Sequence, residues 1–584
     1  MNPHRTATVP QPATEQEQAR FFDQLHEGFQ AASARTGEIV RDFRVAGTSV
    51  RLRFAGDALI SMIVPGLVHP VPEIETEPHC EVCLWDSESS GVRVPASPRP
   101  WMDFTGRGNI WGFDSSRYRS AYLWGESTIN VMDREKRLAV FWVQSAKHLP
   151  PWVLAAPLRS ILHWWMEMNG RQLVHAAVVG YGGRGVLLPG RGGSGKSSTS
   201  LTCLVSGFDF VSDDYLAVAL EPEPRAYRLY STAKLAPESL SLYPELTARC
   251  RTVHEPGFDK VVVFLEDGFH EQLKESLPLN LALKPRISGQ HDTVLAPAEP
   301  LDIERALASE TLVHLPHAGS QTVEFLDRIA HELPCASVHL GTNRAQIAIA
   351  IQNALVSPVA RGSRQRRIGK QEPFVSVIVH FRSEDRAELR NLASAIDTHG
   401  YPRTELLVLA SGPARAMTDE IDRLPGHVRM LDSEQPTING PAWNRCIRES
   451  FAEMVILIEP GDRFRAGALA ALVGASETDA RAAWFRGKVE FLGESQDLLG
   501  PLRGALVRKS AFRECGLFPM NFHLQGREHI DWLERAAGKG LVGREIEGST
   551  LAVAGGLQTA APVLKPDLGL LRSQLARRRA KTAD

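Results

Sequence analysis

The chain has 584 residues, 43% of them apolar and 23% charged, and carries a formal net charge of -2. That length exceeds what one hydrophobic core organises and predicts about three or four folded units. The near-neutral balance gives no electrostatic basis for nucleic acid as a partner, and seven scattered cysteines fit a reducing compartment better than a disulfide framework.

Residues 1–20 are polar, with Pro10 and Pro12, and read as a disordered start rather than a secretory signal. Residues 21–150 read as a β-rich α+β region. The patterns predict a helix over Phe21–Thr36, a half-buried strand over Val45–Phe54, and a hairpin pairing Thr128–Met132 with Leu138–Val143. His79, Cys80 and Cys83 form an H-C-x-x-C cluster. No further ligands follow at zinc spacing, so a loop between strands is expected there.

The pattern changes over residues 151–356. A Trp-rich amphipathic helix runs from Trp152 to Met168 and stops at Asn169-Gly170. Pro157, Arg159 and His163 interrupt it, so it cannot span a bilayer; no other stretch is a better candidate, and a cytoplasmic location is the default expectation. Apolar strands over Leu173–Val179 and Gly185–Pro189 come next, then a glycine-rich turn and a helix from Lys196 to about Ser206. Strands over 208–212, 215–220 and 260–265 complete an α/β unit. Residues 357–372 form a basic segment poor in large apolar side chains, read as a solvated linker. Strand-like runs at Phe374–Phe381, Glu405–Ala410 and Met454–Ile458 then define a second α/β unit over 373–556, followed by a basic, frayed tail at 557–584.

The glycine turn carries the chemistry. Gly190-Arg191-Gly192-Gly193-Ser194-Gly195-Lys196-Ser197 fits G-x-x-x-x-G-K-[ST], the Walker A pattern, and lies between an apolar strand and a helix. The glycines let successive N–H groups converge on phosphate oxygens, and the helix adds its positive end. Lys196 would hold the β- and γ-phosphates, and Ser197 would offer its hydroxyl to Mg²⁺. Asp213-Asp214 follows at a strand end, where a metal ligand beside a general base is what phosphoryl transfer to a hydroxyl needs. Two carboxylates so close should raise one pKa. His175 stands in the strand before the P-loop strand, and such a histidine is commonly a core residue.

Together LVHAAVVG, GVLLPGRGGSGKSS and FDFVSDDYLAV resemble the core of the HPr kinase/phosphorylase family. LHWWMEMNGRQLVHAA, LYSTAKL and LNLALKPRI are similar to stand-alone serine kinases of that type, extending the likeness over about residues 40–356. The resemblance implies a hexamer-prone, ATP- and Mg²⁺-dependent kinase acting on a serine of a peptide or protein. It implies that His175 helps to stabilise phosphate charge, that Ser197 and Asp213 serve the magnesium, and that Asp214 takes the serine proton. Ser198 replaces the family's usual glutamate, and the glycine-rich signature supplying a second acidic metal ligand is missing. HPr itself and the reverse phosphorylase reaction are therefore not implied.

In the second unit FVSVIVHF, YPRTELLVLASG, AWNRC, MVILIEPGD and REHIDWLERA resemble a family 2 glycosyltransferase of the GT-A, Rossmann-like fold. That likeness implies a nucleotide sugar held with Mg²⁺ or Mn²⁺. Its acids are eroded: Ala410-Ser411 stands at the usual Asp pair, the metal motif is reduced to Glu459 and Asp462, and Glu528 with Asp531 are the residues left for the base. The expectation is a multidomain α/β serine kinase with a fused glycosyltransferase-like unit. Two alternatives stand beside it: a glycosyltransferase with a regulatory P-loop half, and a non-catalytic nucleotide-sensing adaptor.

Overall fold

The computed structural model describes residues 12–553 except 68–69, 72–76, 101–102, 256–257, 357–372, 383–384, 398–400, 402, 413, 415–416, 418–423, 425–426, 434–438, 492–501 and 520–527. The linker at 357–372, the tail at 557–584 and residues 1–11 thus lie outside the described residues, whereas residues 15–20, expected to belong to a disordered start, are helical. The chain is a mixed α/β protein, with four sheets among the described residues.

Helix α1 (Glu15–Thr36) begins six residues before the expected Phe21, because Thr14 and Glu17 form a reciprocal capping box at its start. Strands β1 (Glu38–Val45) and β2 (Thr48–Ala55) form a hairpin where a single strand over Val45–Phe54 was expected. Ala46 and Gly47 both take positive φ, 47° and 77°, as a two-residue primed turn requires. Strands β3 (Pro70–Val71), β4 (Cys80–Asp86), β5 (Tyr118–Leu123), β6 (Thr128–Asp133) and β7 (Leu138–Val143) complete a sheet of order β3-β1-β2-β4-β7-β6-β5. The β6–β7 hairpin is the expected one. Cys80 and Cys83 lie buried in β4 rather than in a loop, and burial pushes the Cys80 thiol up to about 12.

The Trp-rich segment is two helices. A short one, Pro151–Ala155, is separated from α2 (Arg159–Met168) at Pro157-Leu158, where Leu158 has φ 56°. Trp164 and Trp165 of α2 are buried in a core that also takes Phe43, Leu52 and Phe141 from the first sheet and Leu173 and Ala176 from the next. The N-terminal sheet and the P-loop unit therefore share apolar packing across residue 150.

In the P-loop unit β8 (Gln172–Tyr181) and β9 (Arg184–Pro189) precede α3 (Lys196–Val205). Strands β10 (Asp209–Ser212), β11 (Tyr215–Ala219) and β12 (Arg225–Arg228) follow. A three-stranded sheet has β15 (Val261–Phe264) between β13 (Thr232–Leu235) and β14 (Arg251–Val253). Next come β16 (Ser276–Ile287), β17 (Val294–Pro297), α4 (Pro300–His314), α5 (Ser320–Glu332), β18 (Cys335–Leu340) and α6 (Arg344–Val356). The main sheet runs β10-β8-β11-β12-β16-β18-β17, with β9 antiparallel to β8 and parallel to β16.

The last sheet is open and twofold covered. Strands β19 (Val375–Phe381), β20 (Thr404–Ser411), β21 (His427–Ser433) and β22 (Met454–Ile458) pair in parallel, in the order β21-β20-β19-β22. Every residue of β19 is buried. Val375, Val377, Val379 and Phe381 face one core and Ile378 the other, which explains a continuous apolar run instead of an alternating one. The chain leaves the two sides of β19 in opposite directions, so the carboxyl ends of β19 and β22 flank a topological switch point, where ligands of such sheets bind.

Candidate active site at the P-loop

β9 is wholly apolar from Val186 to Leu188 and buried on both faces. It delivers the chain directly into the glycine loop, and α3 starts at Lys196. Gly193 and Gly195 take φ of 77° and 96°, values that L side chains rarely adopt. Lys196 is buried and folds back over the loop, donating to the carbonyls of Gly190 and Arg191. Burial pushes its ammonium below the usual lysine range, with Glu310 the largest opposing charge. Ser194 Oγ is buried and has no hydrogen-bond partner, so the cradle contains a polar atom that a phosphate oxygen would satisfy.

The two aspartates occupy the turn between β10 and β11 and are held differently. Asp213 accepts from Ser200 Oγ at 3.0 Å and from the Lys234 amide at 2.9 Å. Burial raises its pKa, helped by the neighbouring Asp214 charge. Asp214 lies between two cations or donors: His175 Nε2 at 2.7 Å and Lys234 Nζ at 2.7 Å. Burial alone would raise Asp214, but Lys234 and His175 hold it well below the usual carboxylate range. One carboxyl is indeed raised, as the sequence suggested; it is Asp213, while the expected base is depressed.

His175 is brought to this point by β8, whose register sets it opposite Tyr215 of β11. The two rings stack at 4.7 Å, and the His175 amide donates to Thr311 Oγ1 of α4 at 3.0 Å. Burial pushes its imidazole down to about 4, despite the Asp214 charge. At neutral pH it is an uncharged hydrogen-bonding group, and the lysines beside it are Lys196 and Lys234.

Sequence reasoning missed two residues here. Lys234 comes from β13, within the LYSTAKL stretch, but nothing in an alternating strand marks one lysine as an inward-facing partner. Glu310 comes from α4, far along the chain. Its Oε1 accepts from the P-loop amide of Gly192 at 3.1 Å, while Oε2 lies 3.4 Å from His175 Nδ1 and 3.5 Å from His314 Nε2. Burial would raise Glu310, but His314, His175 and Lys196 hold it near about 2. A carboxylate thus already sits on one of the loop's N–H groups.

The acids of the last sheet are arranged otherwise. Asp462 is buried and clasped by Arg503 through both carboxylate oxygens, Nε lying 2.8 Å from Oδ2, and Oδ2 also accepts from the Glu459 amide. Burial raises Glu459 to about 7. With both Asp462 oxygens taken by the Arg503 guanidinium, this pair does not fit the metal role expected of it. Glu528 is buried at the start of its helix (Glu528–Gly538), and Asp531 is paired one turn on with Arg535 at 2.9 Å.

No family model matches the chain, and no curated protein matches it. Solved structures do match, weakly. Among them is S. aureus TarS 1-349 in complex with UDP-GlcNAc, at 14% identity over 32% of this chain and 62% of that one, with a TM-score of 0.29. The same protein in complex with UDP gives 12% identity over 31% and 60%, with a TM-score of 0.27. The chain spans about three fifths of the length of those structures. So slight an overlap decides nothing about the site. Among the described residues no helix is long and apolar enough to cross a membrane.

Proposed function

We propose that the P-loop half is an ATP-dependent kinase that transfers the γ-phosphoryl group to a serine of a peptide or protein. The observation that carries this reading is Asp214, ionised and fixed between His175 and Lys234 beside the P-loop. Nucleotide binding alone does not call for a carboxylate oriented by two partners; accepting a hydroxyl proton does.

Lys196 would turn from its own loop carbonyls to the β- and γ-phosphates, and Ser194 and the loop amides would take up oxygen atoms around them. Glu310 would have to leave the Gly192 amide for that. The acceptor serine would place its Oγ–H against Asp214. As the Oγ–P bond forms and the bond from the γ-phosphorus to the β-phosphate oxygen breaks, the proton passes to Asp214. A carboxylate of low pKa suits this step, because the transition state is loose and little charge has to be drawn from the hydroxyl before it attacks. Asp213 and Ser197 offer hard oxygen donors, with the Ser197 hydroxyl near enough to the Asp213 carboxyl to lower its pKa, and that donor set fits Mg²⁺. When bound, the ion would neutralise phosphate charge.

Asp214→Asn keeps the shape of the side chain and removes the proton acceptor. Phosphoserine formation on a serine-peptide library, read by mass spectrometry, should fall by roughly 10²- to 10⁴-fold in that variant. Transfer at the wild-type rate would refute the assignment.

A second reading is nucleotide-sugar-dependent glycosyl transfer in the C-terminal unit, favoured by the switch point between β19 and β22. UDP-GlcNAc, bound by TarS, is the first ligand to try. With Arg503 seated on Asp462, Mn²⁺ should add nothing to its binding. A Mn²⁺-dependent gain that Asp462→Ala abolishes would restore the metal role of Asp462.

A further inference from the structure

The geometry points to a transition-metal site of the zinc type, formed by His175, Glu310 and His314 at the rim of the P-loop. It comes from two distant parts of the chain, β8 and one face of α4, where Glu310 and His314 are a turn apart. Their donor atoms lie within 4.8 Å of one another, and among the described residues no other such group of three occurs. A tetrahedral ion with bonds of about 2.0–2.1 Å holds its donors about 3.3–3.4 Å apart. The distances from Glu310 Oε2 to His175 Nδ1 and His314 Nε2 are 3.4 and 3.5 Å.

Three further features fit a metal ligand set. His175 Nδ1 is buried and makes no hydrogen bond, so the imidazole presents an unused nitrogen to this point. Its other nitrogen lies on Asp214 at 2.7 Å, the carboxylate–histidine arrangement that fixes the tautomer and orientation of a metal-binding ring. Glu310 uses separate oxygens for its two tasks, Oε1 for the Gly192 amide and Oε2 for the histidines. An ion here would therefore tie α4 to β8 and, through one carboxylate, to the phosphate loop. Two imidazoles and one carboxylate suit zinc better than magnesium, and three protein ligands leave a position for water or a substrate oxygen.

The site does not depend on the kinase reading, because no nucleotide enters the argument. The test is titration of full-length, chelator-stripped protein with Co²⁺ as a spectroscopic stand-in for zinc, without ATP. A single equivalent should bind with visible bands of nitrogen and oxygen ligation. His314→Ala, at a side chain 46% exposed where no core is disturbed, and Glu310→Gln should each abolish those bands. Asp214→Asn should weaken binding by about 10- to 100-fold through loss of the orienting carboxylate. Failure to bind, binding unchanged in His314→Ala, or thiolate-to-cobalt charge transfer would each overturn the proposal.

Discussion

Lys234 and Asp214 are each largely enclosed, at 15% and 16% side-chain exposure, and are 2.7 Å apart. Removing one partner of such a pair costs more than the pair contributes, because the other charge stays behind without its counterion. Lys234→Met should therefore lower stability by roughly 1–3 kcal/mol, and adding Asp214→Asn should cost less than the sum of the single changes. Chemical denaturation of the four proteins of that cycle gives the coupling; strict additivity would mean the contact contributes nothing. The same residues show how far sequence reaches at this scale. Lys196, Ser197 and the Asp213-Asp214 pair could be singled out as candidates because each belongs to a local pattern with a chemical reason for its spacing. Glu310 could not, because it acts through a helix that only the tertiary fold lays beside Gly192. His175 was legible as a strand histidine, but burial, which sets its pKa, was not.

Among the elements, the strand, glycine turn and helix over residues 184–205 were legible because they are contiguous and each has its own signal. The departures come where one residue breaks a run that otherwise looks continuous. Ala46-Gly47 turns one expected strand into a hairpin, and Pro157 with Leu158 splits one expected helix. Positive φ at such positions leaves a faint mark in sequence unless glycine fills all of them. The loop offers a direct comparison of two glycines. Gly195 has φ 96°, and a Cβ there would lie 2.4 Å from Leu340 Cδ1; Gly192 has open space around it. Gly195→Ala should cost roughly 1–2 kcal/mol from backbone conformation alone and lower the melting temperature. Gly192→Ala should leave stability within about 0.5 kcal/mol of wild type. Equal thermal shifts in the two variants would contradict the loop conformation described.

At the scale of the whole molecule the C-terminal unit is bonded to the rest through charged groups. Arg448 meets Asp103 at 3.2 Å, the Gly106 amide donates to Glu449, and Arg305 of α4 pairs with Asp397. α4 thus carries Glu310 and His314 at the P-loop and Arg305 at the other unit. Near Arg305, Glu304 is 4% exposed, and burial, with Asp327 adding to it, raises its carboxyl to about 7. A raised acid binds its proton in the folded state and loses it on unfolding between an ordinary glutamate pKa and about 7. Its protonated form therefore contributes fully below that window, and stability is lost as pH rises through it, by roughly 3 kcal/mol at most. Glu304→Gln keeps the neutral shape, so its melting temperature relative to wild type should climb from pH 5 to about pH 8. A constant difference across that range would place the Glu304 carboxyl at an ordinary pKa.

On the proposed kinase reading this chain binds ATP through its glycine loop and keeps Asp214 for chemistry. Calorimetric titration of Mg-ATP into the full chain tests it most directly, using wild type, Lys196→Ala and Asp214→Asn in parallel. Wild type should bind, Lys196→Ala should lose that binding, and Asp214→Asn should keep an affinity within a few-fold of wild type. Unchanged affinity in Lys196→Ala, or loss in Asp214→Asn as complete as in Lys196→Ala, would contradict that reading.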